Sequence, residues 1–228
     1  MNKILKIAHR GAKGCEPENT LVAFKKAIDL GCDGIELDVH LSSDGKIIVI
    51  HDETIDRTTN GKGIVNQLTL FELKTFKIDE KHEIPTLEEV FELANHNIVI
   101  NIELKSYETT DKVIELLEKY IREKNFKYEN FIVSSFDWNA LQQVRFLNDK
   151  IQIGVLTATN LDLAFSFAKF IKAKTINPYF HLLTLENVAK MQEKGFEIHT
   201  WTVNEIEDIE KMKSLKVDGI ISDFIDRI

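Results

Sequence analysis

The 228 residues are enough for one large α/β domain, and 43% hydrophobic with 29% charged residues is the ordinary balance of a soluble globular chain. The net charge of −8, from 29 Lys+Arg against 37 Asp+Glu, excludes nucleic acid or an anionic membrane recognised by bulk charge. An anionic substrate would have to be held by a few placed cations or by a metal.

The N-terminal stretch Met1 to Ile7 lacks the apolar run of a signal peptide. Within it, Ile4 to Ala8 reads as a short strand that ends at His9-Arg10-Gly11. Gly14 and Pro17 mark a loop. Asn19 is the expected N-cap of a helix with Leu21, Phe24 and Ile28 on one face, stopped by Gly31. Gly34 to Val39 is the next strand, and strand–helix–strand is the signature of a parallel sheet. Cys15 and Cys32 are too few for a disulfide framework and read as reduced thiols, from which a cytoplasmic location is expected.

Residues Ile35 to Asp52 form an apolar run, a tight turn and a second apolar run. Alternate residues of a strand point to one face, so Glu36 and Asp38 project together while Ile35, Leu37 and Val39 take the other side. Asp44-Gly45 is a two-residue hairpin signal. A two-residue turn there sets Ser43 opposite Lys46 and His51 opposite Asp38.

Residues 52–84 interrupt the rhythm and read as a small insertion after the second strand, with one or two helical turns at Leu68 to Leu73. Thr86 and Glu89 then predict a capping box opening a helix to about Asn95. In the strand Asn97 to Lys105 the polar positions 101, 103 and 105 share a face. A helix from Asp111 to Glu123 follows. The pattern repeats with strands 131–135, 152–156, 175–178, 197–203 and 219–222, alternating with helices 138–147, 161–170, 185–193 and 205–213. The most apolar of these helices is interrupted by Asp162 and Lys169, too short and too charged for a membrane anchor.

Leaving out the return strand of the hairpin, eight strands alternate with helices. An open doubly wound sheet also alternates, but the count of eight and the lack of a Gly-rich phosphate loop after the first strand favour a (β/α)8 TIM barrel. The chain is expected to be a single barrel domain over 1–228, with 52–84 inserted in it.

Barrel active sites lie at the C-terminal strand ends. Here those ends carry His9-Arg10, Glu36 and Asp38, Glu103 and Lys105, Ser134-Ser135, Asn177, Trp201 and Asp223, with His51 arriving through the hairpin. Glu36, Asp38 and Glu103 offer three hard oxygen donors, which suit Mg²⁺, Ca²⁺ or Mn²⁺. His9 and His51 have the chemistry of a general acid/base pair. Arg10 and Lys105 could hold a phosphate, or pair with the carboxylates. Glu18-Asn19 could close over the site or cap the first helix. His40 shares the face of Glu36 and Asp38 and is a site-edge residue, and His181 could reach the mouth. His82, His96 and His199 read as surface or packing residues. Metal, two histidines and phosphate-binding cations together point to phosphoryl transfer, and a phosphodiester needs both the acid and the base.

Several motifs closely resemble the glycerophosphodiester phosphodiesterases: His9-Arg10-Gly11, Glu16-Pro17-Glu18-Asn19-Thr20, Glu36-Leu37-Asp38-Val39, His51-Asp52 with Asp56-Arg57-Thr58-Thr59-Asn60-Gly61, Asn101-Ile102-Glu103-Leu104-Lys105, Trp201-Thr202-Val203-Asn204 and Asp218 to Asp223. The likeness runs over essentially the whole chain. It implies the same barrel with the insertion, and hydrolysis of small-molecule glycerophosphodiesters to glycerol 3-phosphate and an alcohol with a divalent cation. It implies Glu36, Asp38 and Glu103 as metal ligands and His9 and His51 as the acid/base pair. It also implies Arg10 and Lys105 on the phosphate, Glu18 as a support of the site, and Trp201 lining the glycerol pocket. The alternatives are a related barrel phosphodiesterase acting on lysophospholipids and a non-catalytic phosphate-binding barrel. The first lacks an apolar rim in the sequence, and the second would be expected to have lost a histidine or a carboxylate.

Overall fold

The computed structural model describes residues 3–228, so Met1 and Asn2 of the N-terminal stretch read above lie outside it. In chain order the elements are β1 Leu5–Ala8, α1 Leu21–Asp29, β2 Gly34–Leu41, β3 Ile47–Val49, α2 Leu70–Thr75, β4 Lys77–Ile78, β5 His82–Glu83, α3 Leu87–Ala94, β6 Val99–Leu104, α4 Thr110–Glu123, β7 Phe131–Ser135, α5 Trp138–Leu147, β8 Gln152–Thr157, α6 Leu161–Phe170, β9 Thr175–Pro178, α7 Leu185–Gln192, β10 Glu197–Thr200, α8 Ile206–Ser214 and β11 Gly219–Ser222. β1, β2 and β6 through β11 are parallel neighbours, and β1 pairs with both β2 and β11, so the sheet closes into the eight-stranded TIM barrel. β3 lies outside the ring, antiparallel to β2.

Strand alternation sorts the side chains. Ile35, Leu37, Val39, Ile100, Ile102 and Leu104 face outward and pack in one core with Phe24, Val90, Phe91, Val113 and Leu117 of the helices. Each such fully buried side chain contributes roughly 1.5–3 kcal/mol. The intervening residues of β2 and β6 point into the barrel. β3 is the seam to a second core. Ile47 and Val49 belong to the barrel's core, whereas Ile48 and Ile50 pack with Ile55, Val65, Leu73, Ile78 and Ile84 of the following segment.

Two local expectations are corrected. The cap of α1 is Thr20, whose Oγ1 accepts from the Ala23 amide at 3.2 Å. Asn19, expected there, sits in the left-handed region with φ 56°, and its side chain turns to the barrel interior instead. The hairpin register also differs by one residue. Val39 pairs with Val49, His40 with Ile48 and Leu41 with Ile47, and the Ile50 amide donates to the Asp38 carbonyl. Asp38 therefore faces Ile50, not His51. The cause is the turn. Gly45 donates to the Ser42 carbonyl and adopts φ 73°, and Ser42 pairs with Lys46, so three residues rather than two make the loop. The Thr86 and Glu89 capping box is present as expected.

Candidate active site

β2 and β6 are neighbours in a register that sets Asp38 beside Glu103 and Glu36 beside Asn101. Inward-facing residues of adjacent strands meet, and one oxygen from each of Glu36, Asp38 and Glu103 lies within 4.8 Å of the others. Burial, then repulsion from Asp38 and Glu103, pushes the Glu36 carboxyl well above the usual range. Burial and Asp38 push Glu103 up to about 7, against the pull of Lys105. Burial opposes ionisation of Asp38 too, but Lys105 and Arg10 outweigh it and hold that carboxyl low. Asp38 Oδ1 is buried and accepts no hydrogen bond. Buried polar atoms ordinarily have partners. An oxygen without one, beside two carboxylates that repel each other and with no sulfur in the group, fits a hard divalent cation.

Each histidine is held by a carboxylate. His9 Nδ1 lies 2.7 Å from Asp223 Oδ1. Asp223 is fixed in turn by Asn204, whose Nδ2 donates to Oδ2 at 2.9 Å and whose Oδ1 accepts from the Asp223 amide. Burial lowers the affinity of His9 for a second proton, and the Asp223 hydrogen bond only partly restores it. His51 Nδ1 lies 2.7 Å from Asp52 Oδ1. With Nδ1–H donating to a carboxylate, Nε2 is the free nitrogen of each ring. Both rings line one cavity of about 120 Å³ with Arg10, Glu36, Glu103, Lys105 and Trp201.

His51 reaches that cavity despite the corrected register because the ladder ends at Val49 and the chain bends at His51. His40 Nε2 is 3.0 Å from the His51 carbonyl and holds the bend. His40 is therefore a support at the edge of the site. His181 is exposed and does not line this cavity. His199 is buried in the barrel, against Gly219.

The cations pair with the acidic cluster. Lys105 Nζ donates to Glu103 Oε1 at 2.7 Å and lies 3.4 Å from Asp38 Oδ1. Arg10 Nε is 3.3 Å from Asp38 Oδ2, its backbone N–H donates to Glu36 Oε2 at 2.9 Å, and Nη1 donates to Glu18 Oε1 at 2.9 Å. Burial opposes ionisation of Glu18, but hydrogen bonds from Arg57 and Arg10 hold it below the usual range. Trp201 Nε1 donates to the Asn177 carbonyl at 2.7 Å, which stands its ring at the rim, edge to face with Phe136.

Sequence reading missed four contributors. Asn19, open to a capping role or to closing over the site with Glu18, is buried and its Nδ2 donates to Asp38 Oδ2 at 2.9 Å. Its neighbour in a Glu-Asn-Thr run, Thr20, is the better cap, and that pairing was the available signal. Asn204 closes the Trp201 motif without an assigned role, and Phe136 carries no signal, since only loop packing places it. Arg57 lay in a motif without a role.

The model of the glycerophosphoryl diester phosphodiesterase family matches residues 9–227. A protein of Caldanaerobacter subterraneus subsp. tengcongensis named glycerophosphodiester phosphodiesterase is 43% identical, with 97% of this chain and 94% of that protein aligned. The crystal structure of a glycerophosphodiester phosphodiesterase from Thermotoga maritima superposes with a TM-score of 0.85 at 32% identity, covering 99% of this chain and 97% of that one. An Oleispira antarctica phosphodiesterase, solved in complex with the product sn-glycerol-3-phosphate, superposes with a TM-score of 0.90 at 25% identity, covering 98% of this chain and 94% of that one.

Proposed function

The chain belongs to the glycerophosphoryl diester phosphodiesterase family, and from that premise we propose that it hydrolyses glycerophosphodiesters to glycerol 3-phosphate and an alcohol at the cavity between His9, His51 and the acidic cluster. The observation that carries this reading is the pair of imidazoles, each with Nδ1 held by its own carboxylate, on one cavity lined by two cations and by Glu36 and Glu103 of the three-carboxylate cluster. We read the chain as one barrel domain with residues 52–84 inserted.

Glu36, Asp38 and Glu103 would hold Mg²⁺ or Ca²⁺, which would supply Lewis-acid charge at the phosphate. Arg10 and Lys105 line the same cavity and would bind the phosphate oxygens. At Nε2 one imidazole, entering neutral, takes the proton of the attacking group, a glycerol hydroxyl or water, and the other, entering as imidazolium, gives its Nε2 proton to the leaving alkoxide; where the hydroxyl attacks, water then opens the cyclic phosphate. Asp52 and Asp223 accept from Nδ1–H of the two rings, so that Nε2 is the nitrogen that takes or gives the proton in each. Trp201 would pack against the glycerol carbons. Among the described residues no helix is long and apolar enough to cross a membrane.

The test is release of glycerol 3-phosphate from a panel of glycerophosphodiesters, and of choline from lysophosphatidylcholine alongside, with Mg²⁺ or Ca²⁺ and with a chelator. Turnover of the water-soluble diesters that needs the ion is the expected result. No release from any of them, or a preference for lysophosphatidylcholine, would overturn the reading.

A further inference from the structure

Arg57 lies in the segment between β3 and α2 and is half-exposed, outside the cavity. Its guanidinium grips two carboxylates at once. Nε donates to Asp52 Oδ2 at 2.7 Å and Nη2 to Asp52 Oδ1 at 3.0 Å. Nη2 also donates to Glu18 Oε1 at 2.7 Å, and Nη1 to Glu18 Oε2 at 3.2 Å. Asp52 is the acceptor for His51 Nδ1, and Glu18 is the acceptor for Arg10 Nη1. Charges of alternating sign thus run unbroken from Asp52, which holds the His51 ring, through Arg57, Glu18 and Arg10 to Asp38.

Only an arginine can do this. Its planar fork presents donors on two edges, and each edge can meet a carboxylate with two hydrogen bonds. An exposed ion pair by itself contributes little, but two two-point pairs that share one cation form a network with fixed geometry. Removing the cation would leave Asp52 and Glu18 facing each other as like charges. Asp52 would then be free to swing off His51. The two ends of the network belong to separate segments, the loop after β1 and the insertion, and no other ion pair described here joins them at the site.

We propose that Arg57 is a positioning residue for the hydrolysis, setting the tautomer and orientation of the His51 imidazole through Asp52 and the placement of the Arg10 guanidinium through Glu18. This rests on the reading of His51 and Arg10 given above. A loss at the first contact falls on kcat, because it misplaces a proton-transfer group. A loss at the second falls on KM, because it loosens a substrate cation. The two effects are therefore separable.

The experiment compares the wild-type chain with Arg57→Gln, Arg57→Lys, Asp52→Asn and the double variant Arg57→Gln/Asp52→Asn, each with Mg²⁺ and glycerophosphocholine. Arg57→Gln is expected to lower kcat by about 10- to 100-fold, the range for a residue that orients a functional ligand, with a smaller rise in KM. Arg57→Lys recovers part of kcat, since the charge returns without the fork. In the Asp52→Asn background, Arg57→Gln lowers kcat by less than about threefold more but still raises KM, since coupled residues do not add. Ring-¹⁵N histidine spectra, with the His51 signals identified by their loss in His51→Asn, report the tautomer without any turnover. They are expected to show Nδ1–H in the wild type and a tautomer mixture in Arg57→Gln. Wild-type kinetics in Arg57→Gln, kcat losses that multiply in the double variant, or an unchanged His51 tautomer would each overturn the proposal. If Arg57→Gln does not fold, Arg57→Lys decides by the same spectra. A wild type without phosphodiesterase activity would sink the functional reading, while the spectra would still test the contact.

Discussion

His51 Nδ1 and Asp52 Oδ1 are 2.7 Å apart, a hydrogen bond between adjacent residues of the chain. His9 makes the same bond, at the same length, to Asp223, which is 214 positions away. One imidazole is oriented by its own peptide neighbour, and the other by the last barrel strand closing on the first. Both rings line one cavity.

Those two bonds predict a common phenotype. Asp52→Asn and Asp223→Asn replace an acceptor with an amide that can present either an oxygen or an N–H, so the Nδ1–H tautomer is no longer enforced. Each is expected to lower kcat by about 10- to 100-fold with little change in KM. Steady-state kinetics on a glycerophosphodiester check this; a fall in neither variant would mean that the carboxylates only pack.

Removal of the rings themselves should cost more. His9→Ala and His51→Ala are each expected to lower turnover by about 10² or more, the contribution of one acid/base group. A loss below about threefold in both would end their assignment as the acid and base.

The cation site carries a pH signature. In the metal-free protein Glu103 titrates at about 7 and Glu36 well above its ordinary value. Below that range the carboxyls are protonated and a cation must displace protons; above it they are already ionised. Affinity for Mg²⁺ or Ca²⁺ should therefore rise between pH 6 and pH 8, with proton release that shrinks as pH rises. The same raised pKa values mean that the folded apo-protein binds more protons than the unfolded chain between about 4.5 and 7. The contribution of Glu103 to stability is thus complete below its unfolded value and is lost as pH rises through its folded one. Glu103→Gln should flatten that part of the stability profile. Titration calorimetry in two buffers, with denaturation of the chelated protein, measures both; a pH-independent affinity would be the contrary result. Activity is expected to vanish in chelator and return with the ion.

The turn that sets the hairpin register can be tested by itself. Gly45 has φ 73°, and a Cβ there would meet no atom within 4 Å. Gly45→Ala should therefore lower stability through backbone strain alone, by about 1–2 kcal/mol. Urea denaturation reads the loss. An unchanged midpoint would show that the turn does not need the left-handed conformation.

The order of strands and helices was legible because alternation has a short period. Two-residue alternation in Ile35 to Val39 and in Ile100 to Leu104 separates outward apolar from inward polar residues whatever surrounds them. The three carboxylates were legible for the same reason. Charged side chains on the inner face of a strand need a partner, and the resemblance to the family fell on those positions. The family, the barrel and the place of the acidic cluster thus follow from the chain alone.

Tertiary structure decided what depends on single residues and on distant contacts. The Asp44-Gly45 signal was right about a turn and wrong by one residue about its length, and one residue moves every cross-strand partner, so Asp38 faces Ile50. His51 enters the cavity by a bend beyond the ladder, held at its carbonyl by His40. Asn19 became a ligand of Asp38 because Thr20 beside it took the cap. The pairing of His9 with Asp223, and of Asp52 with Glu18 through Arg57, exists only once the barrel has closed and the segment after β3 has packed on it. Periodicity is a property of a segment and can be read from it; a hydrogen bond is set within tenths of an ångström by everything the fold brings together.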